Sequence, residues 1–493
     1  MRPIVRQHIL GEIVQSKGSS SLKNAISEAV KAGDLKKLVS NIYTTSTSEE
    51  PATVLKRNLY VILGMLFPGA VISHRSAIEA GPKDENIVIT YGYSKKIKLP
   101  GMTVHLMEGP GPLDNDMPFA GGMHLASPER SWLENLRPTK AHGFRKTLTQ
   151  ESLEFQLDEY IRVHGEVDFR ERINYAHKLG TLSAFSEEIE PFQKLAGALL
   201  GTRTHNTLIT ERGKSRSTGL PFDPERIQRF EKLFEALMKM ENLPSLMNRE
   251  TLISSASALV NFCFFDSYFS NYIEGTRFEV EQARQIVYEG QIPEKRPESH
   301  DVIGTFQMLQ LVSRKEEKNW EVVEELIADL KKFHTQIMKA HPDKRPGQFK
   351  ERRNFAGSTE FVAPNYVGGT FKKGFELYKA LPKGFQRAIY VKFMVAEIHP
   401  FDDGNGRLSR IVMNREFHRA EQIPIIIPTV FRTDYLGAIK KLTRTNDPAV
   451  FLKMLRRAQA FTASLDFSSY EAALSGLSRA RAFSDDPEDT LLF

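Results

Sequence analysis

Residues 399–410 read His-Pro-Phe-Asp-Asp-Gly-Asn-Gly-Arg-Leu-Ser-Arg, and no other stretch concentrates so much chemistry in so few positions. His399 carries the side chain whose ordinary pKa lies nearest neutrality, so it is a candidate general base toward an incoming hydroxyl. Asp403 is a hard oxygen ligand, suited to a magnesium ion that also takes phosphate oxygens. Gly404 and Gly406 carry no Cβ, which lets phosphate oxygens come close to the backbone. Arg407 and Arg410 are three apart, share a helix face, and can both reach the phosphates. Together these residues suit a nucleoside triphosphate.

A helix must arrive at this stretch, a loop must turn, and a second helix must leave. Over 385–398, Ala388, Val391, Phe393, Met394 and Ile398 supply an apolar face at helical spacing. Pro400 ends that helix, because proline disfavours helical geometry in its predecessor and cannot donate to the ladder. The outgoing helix starts near Asn405 and runs through Ile411, Val412 and Phe417. Its first amides have no intrahelical acceptor and sit at the positive end of the dipole, so they attract anions.

The stretch resembles the signature of the Fic family of nucleotidyl transferases, His-Pro-Phe-x-Asp/Glu-Gly-Asn-Gly-Arg-x-x-Arg, at every defined position. Its eight fixed positions would arise by chance in such a chain with a probability on the order of 10⁻⁸. The resemblance implies a protein adenylyltransferase that binds Mg·ATP over Gly404, Asn405, Gly406, Arg407 and Arg410, with Asp403 holding the metal. His399 would deprotonate a Ser, Thr or Tyr hydroxyl of a target protein that attacks the α-phosphate. AMP would transfer and pyrophosphate would leave.

Upstream, Ser270-Asn271-Tyr272-Ile273-Glu274-Gly275 resembles the inhibitory motif of many Fic proteins, Ser/Thr-x-x-x-Glu-Gly/Asn. Ser270 and Glu274 are four apart and share a helix face. In the family this glutamate pairs with the second signature arginine, here Arg410, where the γ-phosphate would otherwise settle. Residues 346–366 resemble the family's β-hairpin flap, with Gly357-Ser358 near its turn and with Phe361 and Val362 favouring extended backbone. The flap is expected to dock target backbone as an added strand, with Phe361 and Val362 as the docking positions. Tyr435 and Asn446 lie where later helices meet the base in relatives, although packing or capping would explain both.

The chain has 493 residues, 41% hydrophobic and 26% charged, which is a globular composition with room for two or three domains. Its longest apolar runs, 61–72 and 259–265, are too short for a membrane span. Arg2 and Arg6 open the chain, but Gln7, His8 and Glu12 interrupt any secretory apolar core, so a cytoplasmic protein with no membrane partner is expected. The single cysteine, Cys263, lies between Phe262 and Phe264 and reads as core, excluding an internal disulfide and a multi-cysteine zinc site. The net charge of +6 permits nucleic-acid contact without demanding it.

The predicted fold is mainly α. A Fic-type helical bundle with a β-hairpin flap occupies 223–470, its inhibitory helix near 263–275, and an α+β region containing a winged helix precedes it. Residues 1–48 read as the winged-helix module: a helix over 5–15, a serine-capped helix over 22–32, and a β-wing over 35–45. Residues 1–60 hold nine Lys or Arg against five Asp or Glu, and Lys17, Lys23, Asn24 and Lys31 are candidate phosphate contacts. Residues 67–77 resemble the AbiEi-type antitoxin and regulator family, extending loosely over 49–200, which implies DNA contact within a toxin-antitoxin locus. Short strands are expected over 87–91 and 102–106, joined by a turn at 99–101, and helix from 148 onward. Residues 201–222 read as a linker and 471–493 as a C-terminal tail, whose acidic run at 484–489 reads as disordered.

Other readings stay open. The chain is alternatively a DNA-binding regulator whose Fic domain senses nucleotide, or a Fic enzyme using another donor or removing AMP, in which case Glu274 would position a water. A homodimer is compatible with the sequence.

Overall fold

The computed structural model describes residues 2–137, 143–203, 205–240, 252–290, 298–313, 318–357, 359–486 and 488–493. The chain divides into two compact units, Met1–Gly219 and Leu220–Phe493.

The first unit opens with a four-stranded antiparallel sheet in the order β1-β2-β4-β3, built from β1 (Ile9–Leu10), β2 (Ile13–Gln15), β3 (Lys36–Val39) and β4 (Ile42–Thr44). Of the helix expected over 5–15, only Val5 and Arg6 are helical, at the end of helix Pro3–Arg6, and residues 9–15 form a hairpin. Gly11, at φ 63°, makes its turn, and β-branched Ile9, Ile13 and Val14 prefer the pleated surface, where Val14 pairs with Tyr43. The next helix, Ser20–Lys31, starts where Ser19 accepts the Leu22 amide, and it buries Leu22, Ala25, Ile26 and Ala29. Its other face leaves Lys23, Asn24 and Lys31 exposed, with Lys17 exposed just before it.

A six-stranded mixed sheet follows in the order β7-β8-β6-β5-β10-β9: β5 (Val71–Ile72), β6 (Asn86–Tyr91), β7 (Lys95–Leu99), β8 (Met102–Glu108), β9 (Met117–Phe119) and β10 (Met123–Leu125). The turn at 99–101 joins β7 to β8, and the two expected strands are parallel neighbours, β6 beside β8. Long helix Gln150–Leu179 packs with Ile189–Leu199 around Trp132, Phe169 and Phe192. Most of the expected linker belongs to this unit: it holds helix Glu211–Ser217, whose Arg212 and Arg216 are buried against Asp158, while Glu154 accepts the Ile209 and Thr210 amides. Polar composition misled there, because the arginines pair inside instead of facing water.

The second unit is a helical bundle on one large apolar core. Helices Ala256–Ile273, Glu298–Val312, Val323–Ile337, Phe385–Ile398 and Asn405–Arg419 build its centre. Helix Val367–Ala380 starts hard against the neighbouring backbone, where a Cβ on Gly369 would meet Pro221 O at 2.2 Å. Positions 241–251 of the helical bundle expected over 223–470 lie outside the described residues. In the tail, helix Tyr470–Arg479 buries Ala473 and Leu477, Leu491 is 2% exposed, and within the acidic run Ser484 Oγ donates to Asp489 at 2.6 Å. Among the described residues, no helix is long and apolar enough to cross a membrane.

Candidate active site around the signature loop

The incoming helix ends at Ile398 and the outgoing one starts at Asn405, so residues 399–404 form a loop between two buried helices. His399 caps the first helix at φ 53°, a left-handed conformation uncommon outside glycine and a recurrent form of strain at functional sites. Its Nδ1 donates to the Ala396 carbonyl at 3.3 Å, since a carbonyl can only accept. That leaves Nε2 with its lone pair, which is the arrangement a base needs. Burial, reinforced by the nearby Lys350 ammonium, lowers the imidazole pKa to about 4. The ring is neutral at physiological pH.

Asn405 is 1% exposed, and its amide is spent on the loop: Oδ1 accepts the Phe401 amide at 2.9 Å and Nδ2 donates to the Phe401 carbonyl at 2.9 Å. It shapes the loop in this state and does not face an open phosphate site. Asp403 Oδ1 accepts the Gly404 amide at 2.6 Å, and the residue is otherwise exposed. One accessible carboxylate fits magnesium, which commonly takes one or two carboxylates and fills its shell with phosphate oxygens and water. Among the described residues no group of three or more His, Cys, Asp or Glu forms a self-sufficient metal cage.

The two signature arginines have separate surroundings. Arg410 is buried, and its guanidinium donates to Ser270 Oγ at 2.9 Å, to the Ser270 carbonyl at 2.9 Å and to Glu274 Oε1 at 2.6 Å. Arg407 lies 2.9 Å from Asp301 Oδ2 and reaches Met338 Sδ at 3.2 Å. Asp301, on helix Glu298–Val312, also pairs with His341 at 2.7 Å.

Glu274 is the first residue past helix Ala256–Ile273, and Gly275, at φ 104°, lets the chain leave at once. The carboxylate thus points from a helix end onto the first turn of the outgoing helix. A Cβ on Gly406 would meet Glu274 Oε1 at 2.1 Å, so the carboxylate rests directly against that backbone. Burial pushes its pKa up, but Arg410, helped by Arg407 and His399, more than reverses this and holds it below the ordinary glutamate range. Gly404, at φ 72°, serves the turn and packs on Met338.

The flap is a short hairpin, β11 (Phe355–Ala356) against β12 (Thr359–Glu360), closed through Gly357; Ser358 lies outside the described residues. The side chains of Phe361 and Val362, the expected docking positions, are both engaged within the chain. Val362 is fully buried, and Phe361 stacks on the His399 ring at 3.8 Å with 6° between planes. Both follow the hairpin and belong to its attachment. The large apolar residue exposed on the strands is Phe355, at 60%. Tyr435 is buried beside Arg410 and beneath Lys392, and Asn446 ends helix Arg432–Thr445 in a left-handed turn, so neither faces an open base pocket.

Four residues that the sequence did not single out touch this site. Lys350 donates to Asn354 Oδ1 at 2.6 Å and to the Ile398 carbonyl at 3.4 Å. Asn354 donates to the Phe401 carbonyl at 3.0 Å. His334 and Asp301 complete the set. Each lies between 47 and 106 residues from the residue it contacts here, beyond any local motif.

Residues 326–416 match the family model described as "Fic/DOC family". The chain is 24% identical over 270 residues to "Protein adenylyltransferase Fic" of Drosophila persimilis, covering 51% of this chain and 48% of that protein. It is 26% identical over 187 residues to "Protein adenylyltransferase fic-1" of Caenorhabditis elegans, covering 36% of each. The matches thus span about half the length of these relatives or less. A solved fragment of C. elegans Fic-1 aligns at 18% identity and a TM-score of 0.37 over 66% of this chain and 98% of that one.

Proposed function

We propose that this chain is a Fic-type protein adenylyltransferase held in an inhibited state by Glu274. The observation that carries the reading is the Glu274 carboxylate lying on the Gly406 backbone and on Arg410, an anion occupying an anion site. When ATP binds, its γ-phosphate competes with Glu274 for Arg410. The loop and the open first turn hold the remaining phosphates, and Asp403 holds magnesium, which would neutralise phosphate charge. His399 Nε2 accepts the proton of a target hydroxyl as its oxygen bonds to the α-phosphorus. The bond from that phosphorus to the bridging oxygen breaks, and pyrophosphate leaves.

The target strand approaches along β11 and β12, where Phe355 is exposed. Phe361 must leave the His399 ring before a hydroxyl reaches it. The test is label transfer in a lysate of the host with magnesium, using α-labelled ATP, γ-labelled ATP and α-labelled UTP in parallel. Transfer from α-labelled ATP alone, abolished by His399→Ala, is the expected result. Transfer from γ-labelled ATP would make the chain a phosphotransferase, and transfer from UTP would change the donor.

A second activity rests on the exposed Lys17, Lys23, Asn24 and Lys31 around helix Ser20–Lys31, which suit duplex phosphate contact. A footprint on the chain's own promoter that weakens in Lys23→Glu/Lys31→Glu, and survives His399→Ala, would establish it.

A further inference from the structure

His334 belongs to helix Val323–Ile337 and is fully buried. Its neighbours on that helix, Leu330, Phe333 and Ile337, are core, and an apolar side chain would suit the same face. A polar ring placed there needs partners, and it has two on opposite sides. The Gly347 amide donates to Nδ1 at 2.9 Å, and Nε2 lies 3.0 Å from the Asp403 carbonyl.

A backbone amide only donates and a carbonyl only accepts. Nδ1 must therefore be bare, and Nε2 must carry the hydrogen. The two bonds specify one neutral tautomer. The ring also stacks on Phe401 at 3.8 Å with 6° between planes, and Phe401 lies 5.3 Å from Phe349.

Each contact has a distinct address. Gly347 begins the segment that leads into the flap, and a Cβ there would meet Thr335 Oγ1 at 2.2 Å, so this root lies hard against the His334 helix. Asp403 and Phe401 belong to the signature loop. Three residues beyond Gly347, the Lys350 amide donates to the Pro400 carbonyl at 2.9 Å, so the same segment returns to the loop.

We infer that His334 is a positioning residue which ties the root of the target-docking flap to the phosphate-binding loop, holding target and nucleotide in register. The inference rests on the adenylyltransferase reading for its purpose and on geometry alone for its existence. His334 does not touch a reacting atom.

The two bonds can be cut separately. In His334→Asn the terminal amide overlies the Nδ1 position, so the acceptor for Gly347 stays and the donor to Asp403 goes. In His334→Gln it overlies the Nε2 position, so the donor to Asp403 stays and the Gly347 bond goes. Both variants lose the stack on Phe401 equally, which cancels in their comparison.

The first readout is amide hydrogen exchange of the full chain without nucleotide. His334→Gln should speed exchange at Gly347 by about tenfold and leave peptides spanning 401–407 near wild type; His334→Asn should do the reverse. The second readout is auto-modification by α-labelled ATP in the Glu274→Gly background. There His334→Asn should raise the half-saturating ATP concentration, and His334→Gln should lower the maximal rate at an unchanged half-saturating ATP concentration. Exchange that rises at both places in both variants, or at neither, overturns the tie, as does failure of both conservative variants to fold. Absence of label in the Glu274→Gly background overturns the adenylyltransferase reading instead, while hydrogen exchange still decides the tie.

Discussion

The grip of Glu274 on Arg410 predicts a graded release. The Arg410 donor lies 2.6 Å from the carboxylate oxygen, a charge-assisted hydrogen bond, and such bonds contribute about 1.5–3 kcal/mol. The glutamate side chain is 35% exposed, so water screens part of this and about 1–2 kcal/mol is the appropriate figure. At 1.36 kcal/mol per factor of ten, full removal in Glu274→Gly should raise labelling by roughly 5- to 30-fold. Glu274→Gln keeps an oxygen that accepts from Arg410 but loses the charge, so it should rise by only about half as much on a logarithmic scale. Ser270→Ala removes a single Arg410 hydrogen bond and leaves Glu274 in place, so its change should stay under about fivefold. The assay is the initial rate of incorporation of α-labelled ATP into the protein itself, at ATP below saturation, where competition for Arg410 is felt. A flat series, or a Gln variant that equals or exceeds Gly, would refute competition between carboxylate and phosphate.

The remaining predictions concern the packing around that grip. His105, His334 and His399 each have pKa values lowered to about 4, chiefly by burial. Between pH 6.5 and 4 the unfolded chain binds more protons at these sites, so folding stability should fall as pH drops through that window, by up to about 1.4 kcal/mol per group and pH unit. Urea midpoints that hold steady from pH 6.5 to 4.5 would contradict this. Asn405→Ala should destabilise by about 1–3 kcal/mol, because it orphans the buried Phe401 amide. Unchanged chemical denaturation with weakened ATP binding would make Asn405 a ligand contact instead. Lys392 is fully buried, with Nζ over the Tyr435 and Phe451 rings and the Tyr435 hydroxyl beside it. Replacing it by methionine should raise stability by about 1 kcal/mol or more. A lower melting temperature for that variant would show that the two ring contacts outweigh the burial.

What was legible in the sequence was what is local. Residues 385–398 read as a helix because their apolar spacing and Pro400 agree, and its ends are where that reading puts them. Ser270, Glu274 and Arg410 were named from two separate motifs, and the structure brings them together. The misses arose where long-range partners decide. Arg407 shares a helix face with Arg410, yet Asp301 holds it, and no spacing rule reaches 106 residues upstream. Phe361 and Val362 suit a strand by propensity, but the core takes Val362 and the His399 ring takes Phe361. At 5–15, isoleucines and valine at helix-like intervals concealed a hairpin that Gly11 makes possible. In 201–222, buried arginines resembled solvent-facing ones.

The Glu274 carboxylate sits one residue past the end of a helix whose last three turns are almost wholly core. Its reach is therefore a matter of helical phase. Inserting one residue between Ser270 and Glu274 would swing the side chain by about 100° and lift it by about 1.5 Å, away from Arg410, with the carboxylate chemically intact. Gly275 stops the helix in the right phase. If Glu274 is the brake proposed above, a lineage of such chains would have two routes for adjusting its resting activity: changing the acid, or changing where the helix stops. The second leaves the glutamate in the sequence, visible to any motif search, while taking it out of use.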